Sequence, residues 1–245
     1  MNIKSGIEIA DLALYIDSTL VISDVHIGYE EYLNKQGILV PRLQFQEIAK
    51  RIVFIFKLLK NKRIERIIVN GDLKHEFGTI SEQEWRNTLK FLDLLLNHAR
   101  EVVLLKGNHD NIIGPIAKKR NVKVAGYFVI KKKQKNSIII THGDKIPSKE
   151  LLDDCSTVII GHEHPAVSLK EGSKSELFKC FLKGKYNGKT LIVQPSFNEM
   201  IEGTDILRDK ILSPLLKQNL DNFEVFAVED RIYKFGKLKN LNHPL

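Results

Sequence analysis

Glu101-Val102-Val103-Leu104-Leu105-Lys106-Gly107-Asn108-His109-Asp110 is a short apolar run that ends abruptly in glycine and ligand-grade polar side chains. A continuous apolar run of this length reads as a buried strand, and Gly107 permits a tight exit from it. Four other stretches repeat the pattern: Asp24-Val25-His26 follows 19–22, Gly71-Asp72 with His75 follows 66–69, Thr141-His142-Gly143 follows 137–140, and Gly161-His162-Glu163-His164 follows 157–160. Each places Asp, Asn or His at the carboxyl end of a strand, which is where open α/β sheets bind ligands. Five such strand ends would converge on one site.

Between these strands the first half of the chain predicts helices. Pro41 is placed for a helix first turn, and Phe45, Ile48, Ile52, Ile55, Phe56 and Leu59 mark one apolar face. Ser81-Glu82-Gln83-Glu84 has the capping-box pattern, so a second helix begins there and runs to about Asn97. The segment 29–40 reads as a polar loop, and 112–120 as a short helix. Strands alternating with helices imply parallel pairing through crossovers. The second half is mostly β, with a strong hairpin signal at Tyr186-Asn187-Gly188-Lys189, a late helix near 206–217, and a final hairpin over 223–235. The expected class is α/β: two mixed β-sheets packed face to face and flanked by helices, within a single domain over 1–245.

Composition bounds the setting. Hydrophobic residues are 43% of the chain, ordinary for a globular protein. The longest apolar runs are too short for a bilayer span of about 20 residues, so no membrane association is expected. The N-terminal stretch carries Lys4, Glu8 and Asp11 and lacks the apolar core of a secretory signal. With Cys155 and Cys180 as the two cysteines and no paired motif, a reducing, cytoplasmic setting is expected. The net charge of +8 suits a polyanionic partner. Scattered lysine in a Lys-, Glu- and Ile-rich, Cys- and Met-poor chain is equally a thermophile-like composition. The cluster Lys131-Lys132-Lys133 with Lys135 reads more simply as a solvated hairpin turn around 134–136.

The histidines carry the chemistry. Six of eight, His26, His75, His109, His142, His162 and His164, fall in the strand-end stretches; His98 and His243 do not. One histidine alone is more often a core or surface residue than a ligand. Six together with Asp24, Asp72 and Asn108 supply imidazole, carboxylate and amide donors, the set that suits a divalent first-row metal. These are too many donors for one ion, whereas two ions sharing a carboxylate would use seven. Two metals about 3.5 to 4 Å apart clamp a phosphoryl group and activate a bridging water for in-line attack. The leaving oxygen then needs a proton, and His109 with Asp110 beside it offers an acid and an orienting carboxylate.

In this order, Asp24-x-His26, Gly71-Asp72, Gly107-Asn108-His109-Asp110, His142-Gly143 and Gly161-His162-x-His164 resemble the five motifs of the calcineurin-like metallophosphoesterases, whose fold is an αββα sandwich. The resemblance implies that Asp24, His26, Asp72 and His164 hold one divalent ion and Asp72, Asn108, His142 and His162 the other. Mn2+ is the ion expected; Fe, Zn, Ni and Co suit the same donors. His109 would serve the leaving group, oriented by Asp110.

His75, three residues past the bridging Asp72, resembles the SbcD-type nuclease branch and its small relatives, the DNA-ligase-associated phosphoesterases. There the implication is that His75 contacts the phosphate and favours diesters. Gln194-Pro195-Ser196-Phe197-Asn198 also resembles those relatives. It puts Asn198 near the substrate, although an ordinary turn asparagine explains it as well. The larger nucleases carry further domains, for which little chain remains after Asn198.

The expected activity is therefore hydrolysis of phosphodiesters, of nucleotides or of single-stranded nucleic acid. The alternatives are a phosphomonoesterase or protein phosphatase using the same metals, and a non-catalytic scaffold with this fold. The sequence names no protein partner.

Overall fold

In the computed structural model, which describes residues 1–78, 80–131, 136–171 and 174–241, the strand runs become the middle of two sheets. The chain divides into two units, Met1–Gly126 with Phe197–Ile201, and Tyr127–Ser196 with Glu202–Leu245. Each carries one of the sheets. The turn expected at 134–136 and most of the 131–135 lysine cluster lie outside the described residues.

In the first unit seven described strands lie in chain order: β1 (Asn2–Lys4), β2 (Ile7–Ala10), β3 (Ala13–Ile16), β4 (Thr19–Ile22), β5 (Arg66–Asn70), β6 (Glu101–Leu105) and β7 (Lys123–Ala125). β1 to β4 are antiparallel, and β4 to β7 run parallel. The register aligns Ile22 with Val69 and Val69 with Leu104. The polar residues that follow each strand therefore leave the sheet at one edge.

Helices make the crossovers that parallel strands require: α1 (Tyr29–Lys35) and α2 (Gln44–Leu58) between β4 and β5, α3 (Glu82–Leu96) before β6, and α4 (Gly114–Lys119) before β7. α2 buries Ile48, Ile52, Ile55 and Phe56, and α3 buries Thr88, Phe91, Leu92 and Leu95, each on the one stripe that helical spacing dictates.

Two expectations change here. The segment read as a polar loop contains α1, a seven-residue helix too short to persist alone. It is tied down through buried Glu30, whose carboxylate accepts from Gln44 N at 2.8 Å and from Gln83 Nε2 at 3.0 Å. The same contact moves the start of α2. Glu30 satisfies an N–H of its first turn, so the helix begins at Gln44 and Pro41 stays outside it.

In the second unit the order is β14 (Thr204–Asp205), β11 (Pro165–Glu171), β12 (Lys174–Tyr186), β13 (Lys189–Val193), β10 (Cys155–Ile160), β9 (Ser137–Thr141) and β8 (Tyr127–Ile130). β15 (Glu224–Val228) joins β12, and β16 (Ile232–Lys237) joins β15. β10 runs parallel to both neighbours, with helix α5 (Lys149–Asp153) before it. Asn187 and Gly188 both have positive φ, 46° and 77°, as the predicted hairpin turn demands.

The helix expected near 206–217 does not form. That segment holds a single 3-10 turn, Pro214–Leu216, because its backbone is claimed by side chains: Asp205 Oδ1 takes Leu207 N at 3.1 Å, and Glu163 takes Leu212 N and Ser213 N. Pro214 removes a further helical donor. The class is thus mixed α/β with two mixed sheets and accompanying helices. Cys155 and Cys180 are free and buried, and no described helix is long and apolar enough to cross a membrane.

Candidate metal centre

In the first unit the loops after β4 and β5 continue past the sheet as a small ladder. Asp24 N donates to Gly71 O (3.2 Å), His26 N to Asp72 O (2.9 Å), Ile27 N to Leu73 O (2.9 Å) and His75 N to Ile27 O (2.9 Å). This ladder sets Asp24, His26, Asp72 and His75 along one edge. Asp24 and Asp72 are buried carboxylates, as is the imidazole of His26. The Ser23 hydroxyl lies 2.6 Å from Asp24 Oδ2.

The loop after β6 reaches the same place. His109 N donates to Asp72 Oδ1 at 2.8 Å, and Asp72 Oδ2 lies 3.8 Å from His26 Nε2 and 4.0 Å from His109 Nε2. Gly107 is required at this approach: a Cβ there would stand 2.1 Å from Asp72 Oδ1 and 2.6 Å from its backbone nitrogen. Asn108, half-buried, sits between these two residues.

The described contact that fixes the His109 ring is the carbonyl of His75, against which Nδ1 is hydrogen-bonded. Nε2 faces Asp72 Oδ2, 4.0 Å away. Asp110, expected to orient that ring, has Oδ2 3.2 Å from Gly107 N and 3.4 Å from Leu73 N, where it braces the loops. The His75 ring is half-buried among His26, His109, Tyr29 and Tyr32. Burial, then the neighbouring His109, pushes its pKa down to about 4, so it is neutral at pH 7. Nitrogen atoms of His26, His75 and His109 lie within 4.8 Å of one another. Asn198 belongs to this unit; it is buried, and its Oδ1 accepts from Met200 N at 3.0 Å as a turn-forming asparagine does.

In the second unit, Gly161 N donates to His142 O at 2.8 Å, and the rings of His142 and His162 meet with 3.2 Å between nitrogens. Gly143 (φ 107°) lets this loop close on β10, since a Cβ would meet Ile160 Cβ at 2.8 Å. Thr204 N donates to His164 O at 2.9 Å. The brace is Glu163, fully buried, which accepts from Leu212 N and Ser213 N, while Ser213 Oγ donates to Gly143 O at 2.8 Å. Burial raises the Glu163 pKa, against which these N–H groups pull it down.

One backbone feature runs through both units. Of ten non-glycine residues with positive φ among those described, five are Asp24, His26, Asp72, His162 and His164. Left-handed conformations are uncommon outside glycine and concentrate at functional sites. In each unit these carboxylates and imidazoles, with no thiolate among them, are donors of the kind that suits divalent first-row metals.

Sequence reasoning named these donors but missed four residues that hold or border them: Lys74, Phe77, Glu84 and Glu163. Lys74 is fully buried and donates to His109 O at 2.6 Å and to Glu76 O. The Glu84 carboxylate, expected to close a capping box, instead accepts from His75 N (2.8 Å) and Glu76 N (3.0 Å), while Ser81 caps α3 as predicted. Pattern could have flagged Glu163, a charge between two candidate ligand histidines. Nothing in the sequence marks Phe77.

Comparison with known proteins places these features. The family model described as calcineurin-like phosphoesterase matches residues 18–176. Among solved structures, a Pseudomonas putida nuclease MPE is similar over 93% of both chains at 19% identity, with a TM-score of 0.62, which shows a shared fold. Vacuolar Protein Sorting 29 from Cryptosporidium parvum aligns over 89% of this chain and 97% of its own, at 18% identity and TM-score 0.41. The E. coli phosphoesterase Yfce aligns over 90% and 97%, at 14% and 0.41. No curated protein matches the sequence.

Proposed function

Because the chain belongs to the calcineurin-like phosphoesterase family, we propose that it is a dinuclear metal-dependent phosphodiesterase acting on nucleotide or nucleic acid phosphodiesters. Asp24, His26, Asp72 and His164 hold one divalent ion, and Asp72, Asn108, His142 and His162 hold the other, Mn2+ being the expected metal. When bound, the ions supply Lewis-acid charge and a water made nucleophilic at neutral pH.

The observation that carries the reading is the arrangement of His75 and His109 beside buried Asp72. His109, with Nδ1 occupied by the His75 carbonyl, keeps Nε2 for the proton that the leaving oxygen takes up. His75 is a neutral hydrogen-bonding group, and the rings around it, those of Tyr29, Tyr32, His26 and His109, bring no fixed cation. Of the lysines beside the loop, Lys74 is committed to backbone carbonyls and Lys35 to the carboxylates of Glu31 and Glu76. Such surroundings suit the single negative charge of a diester better than a monoester dianion. The similarity in fold to the Pseudomonas putida nuclease is in keeping with nucleic acid as substrate.

The test is hydrolysis of bis-p-nitrophenyl phosphate against p-nitrophenyl phosphate by protein reconstituted with each of Mn2+, Zn2+, Fe2+, Ni2+ and Co2+. A higher kcat/KM on the diester is expected. Preference for the monoester with every metal would overturn the reading.

A further inference from the structure

Five aromatic rings form a continuous row in the first unit. Tyr29 and Tyr32 meet the edge of His75, at centroid distances of 4.8 and 4.7 Å. His75 lies 5.1 Å from His109 and within 29° of parallel to it. Phe77 then covers His109 at 3.7 Å, tilted by 31°. The middle of the row is withdrawn from solvent, the His109 side chain being 14% exposed. Both ends are open: Phe77 is 55% exposed and Tyr32 37%.

A single exposed aromatic is unremarkable on a protein surface. An exposed ring lying against the histidine that serves the leaving group, with another at the far end of the same row, is a placement with consequences. A diester whose phosphate sits at His75 and His109 has two ester arms, which diverge from a tetrahedral phosphorus. On a nucleotide each arm carries a flat base. Aromatic faces bind bases by stacking, without regard to which base it is. We propose that Phe77 and Tyr32 are base-stacking subsites on either side of the scissile phosphate, Phe77 for the base on the leaving-group arm and Tyr32 for the base on the other. This rests on the phosphodiesterase reading and names the substrate class as diesters bearing bases on both arms.

The substrates that test it are a thymidine dinucleotide and the same dinucleotide with the base removed from one arm or from the other. Phe77→Ala is expected to lower kcat/KM on the full dinucleotide by roughly tenfold or more, and by at least fivefold less on the analogue lacking the leaving-arm base. Tyr32→Ala shows the same relation with the other analogue. Phe77→Trp restores the full rate, which separates stacking from a general disturbance of His109.

A second readout needs no turnover. With metal chelated, a dinucleotide carrying 2-aminopurine on the leaving arm is quenched on binding, and Phe77→Ala weakens that binding about tenfold. Equal losses on full and base-free substrates, or quenching indifferent to Phe77→Ala, would overturn the proposal. If neither the dinucleotide nor bis-p-nitrophenyl phosphate is hydrolysed with any metal, the phosphodiesterase reading falls instead, and the quenching still decides whether the subsites exist. A single-stranded oligonucleotide run beside the dinucleotide tells the source of the bases: equal affinity assigns a small nucleotide, tighter binding a strand.

Discussion

Lys74 is buried completely, and its ammonium spends hydrogen bonds on the carbonyls of His109 and Glu76. With the contacts from His109 Nδ1 to the His75 carbonyl and from His109 N to Asp72 Oδ1, this ties the loop of His109 to the loop of His75. Lys74→Met keeps the stem but leaves two interior carbonyls without their donor. Hydrogen bonds to a charged group are worth about 1.5 to 3 kcal/mol each, so a stability loss of about 3 kcal/mol is expected. Turnover measured well below the melting temperature should fall at least tenfold with metal content and KM held, since Lys74 positions His109 without touching substrate. A variant that is merely less stable, with wild-type kcat, would leave Lys74 no positioning role. The contrast with the donors explains what could be read in advance. Asp24, Asp72 and the histidines announce themselves by residue type at strand ends. Lys74 and Phe77 act through where the chain folds, and a lysine just before a histidine or a phenylalanine two residues after it carries no signature of that.

At the scale of elements, the β12–β15–β16 ribbon shows how a sheet edge is held. Glu224 on β15 stands directly opposite Lys183 on β12, and its other oxygen lies 2.6 Å from Lys234 Nζ of β16. The hydrogen bond from Lys183, then that from Lys234, depresses the Glu224 pKa below its usual range. A depressed carboxylate stabilises the folded state above its unfolded pKa, and the contribution disappears as pH falls through the folded value. Lys234 is half exposed, so solvent screening limits the effect to about 1 kcal/mol. Glu224→Gln should therefore lower the unfolding free energy by about that amount at pH 7 and by progressively less as the pH falls below the usual glutamate range; a difference undiminished in acid would mean that packing, not charge, is responsible. The parallel crossovers of the first sheet and the hairpins at Asn187-Gly188 and 223–235 were legible from apolar runs and turn residues, whereas the parallel placement of β10 between β9 and β13 was not. The two helical misreadings were not local errors of propensity. Glu30 creates α1 and shifts α2 through Gln44 and Gln83, and Glu163 with Asp205 dissolves the expected helix at 206–217. Carboxylates reaching across many residues leave no trace in a local pattern.

For the whole molecule, the order and spacing of the five motifs point to the family by themselves, and within each sheet the register brings the polar residues that follow neighbouring parallel strands to the same end. Charge was the one global property that sequence left double-edged. The chain carries 38 basic against 30 acidic side chains, a net +8. Many lysines are already spent: Lys35 on Glu31 and Glu76, Lys50 on Glu47, Lys62 on Glu8, Lys183 and Lys234 on Glu224. If the excess only reflects composition, a polyanion gains nothing from it beyond the site. If it serves a strand that extends past the scissile phosphate, each further phosphate contacted releases counterions, and the logarithm of affinity falls with the logarithm of salt by about 0.7 per contact. The two cases separate when one enzyme is assayed on two substrates. With base stacking at both arms and two or three outlying phosphates held, kcat/KM on a single-stranded oligonucleotide should drop with a slope of about −2 between 50 and 500 mM salt. Hydrolysis of bis-p-nitrophenyl phosphate, which has no outlying phosphate, should change by less than about twofold over the same range. Parallel shallow slopes on both substrates would assign the basic surface to composition and confine recognition to the row of rings around His109.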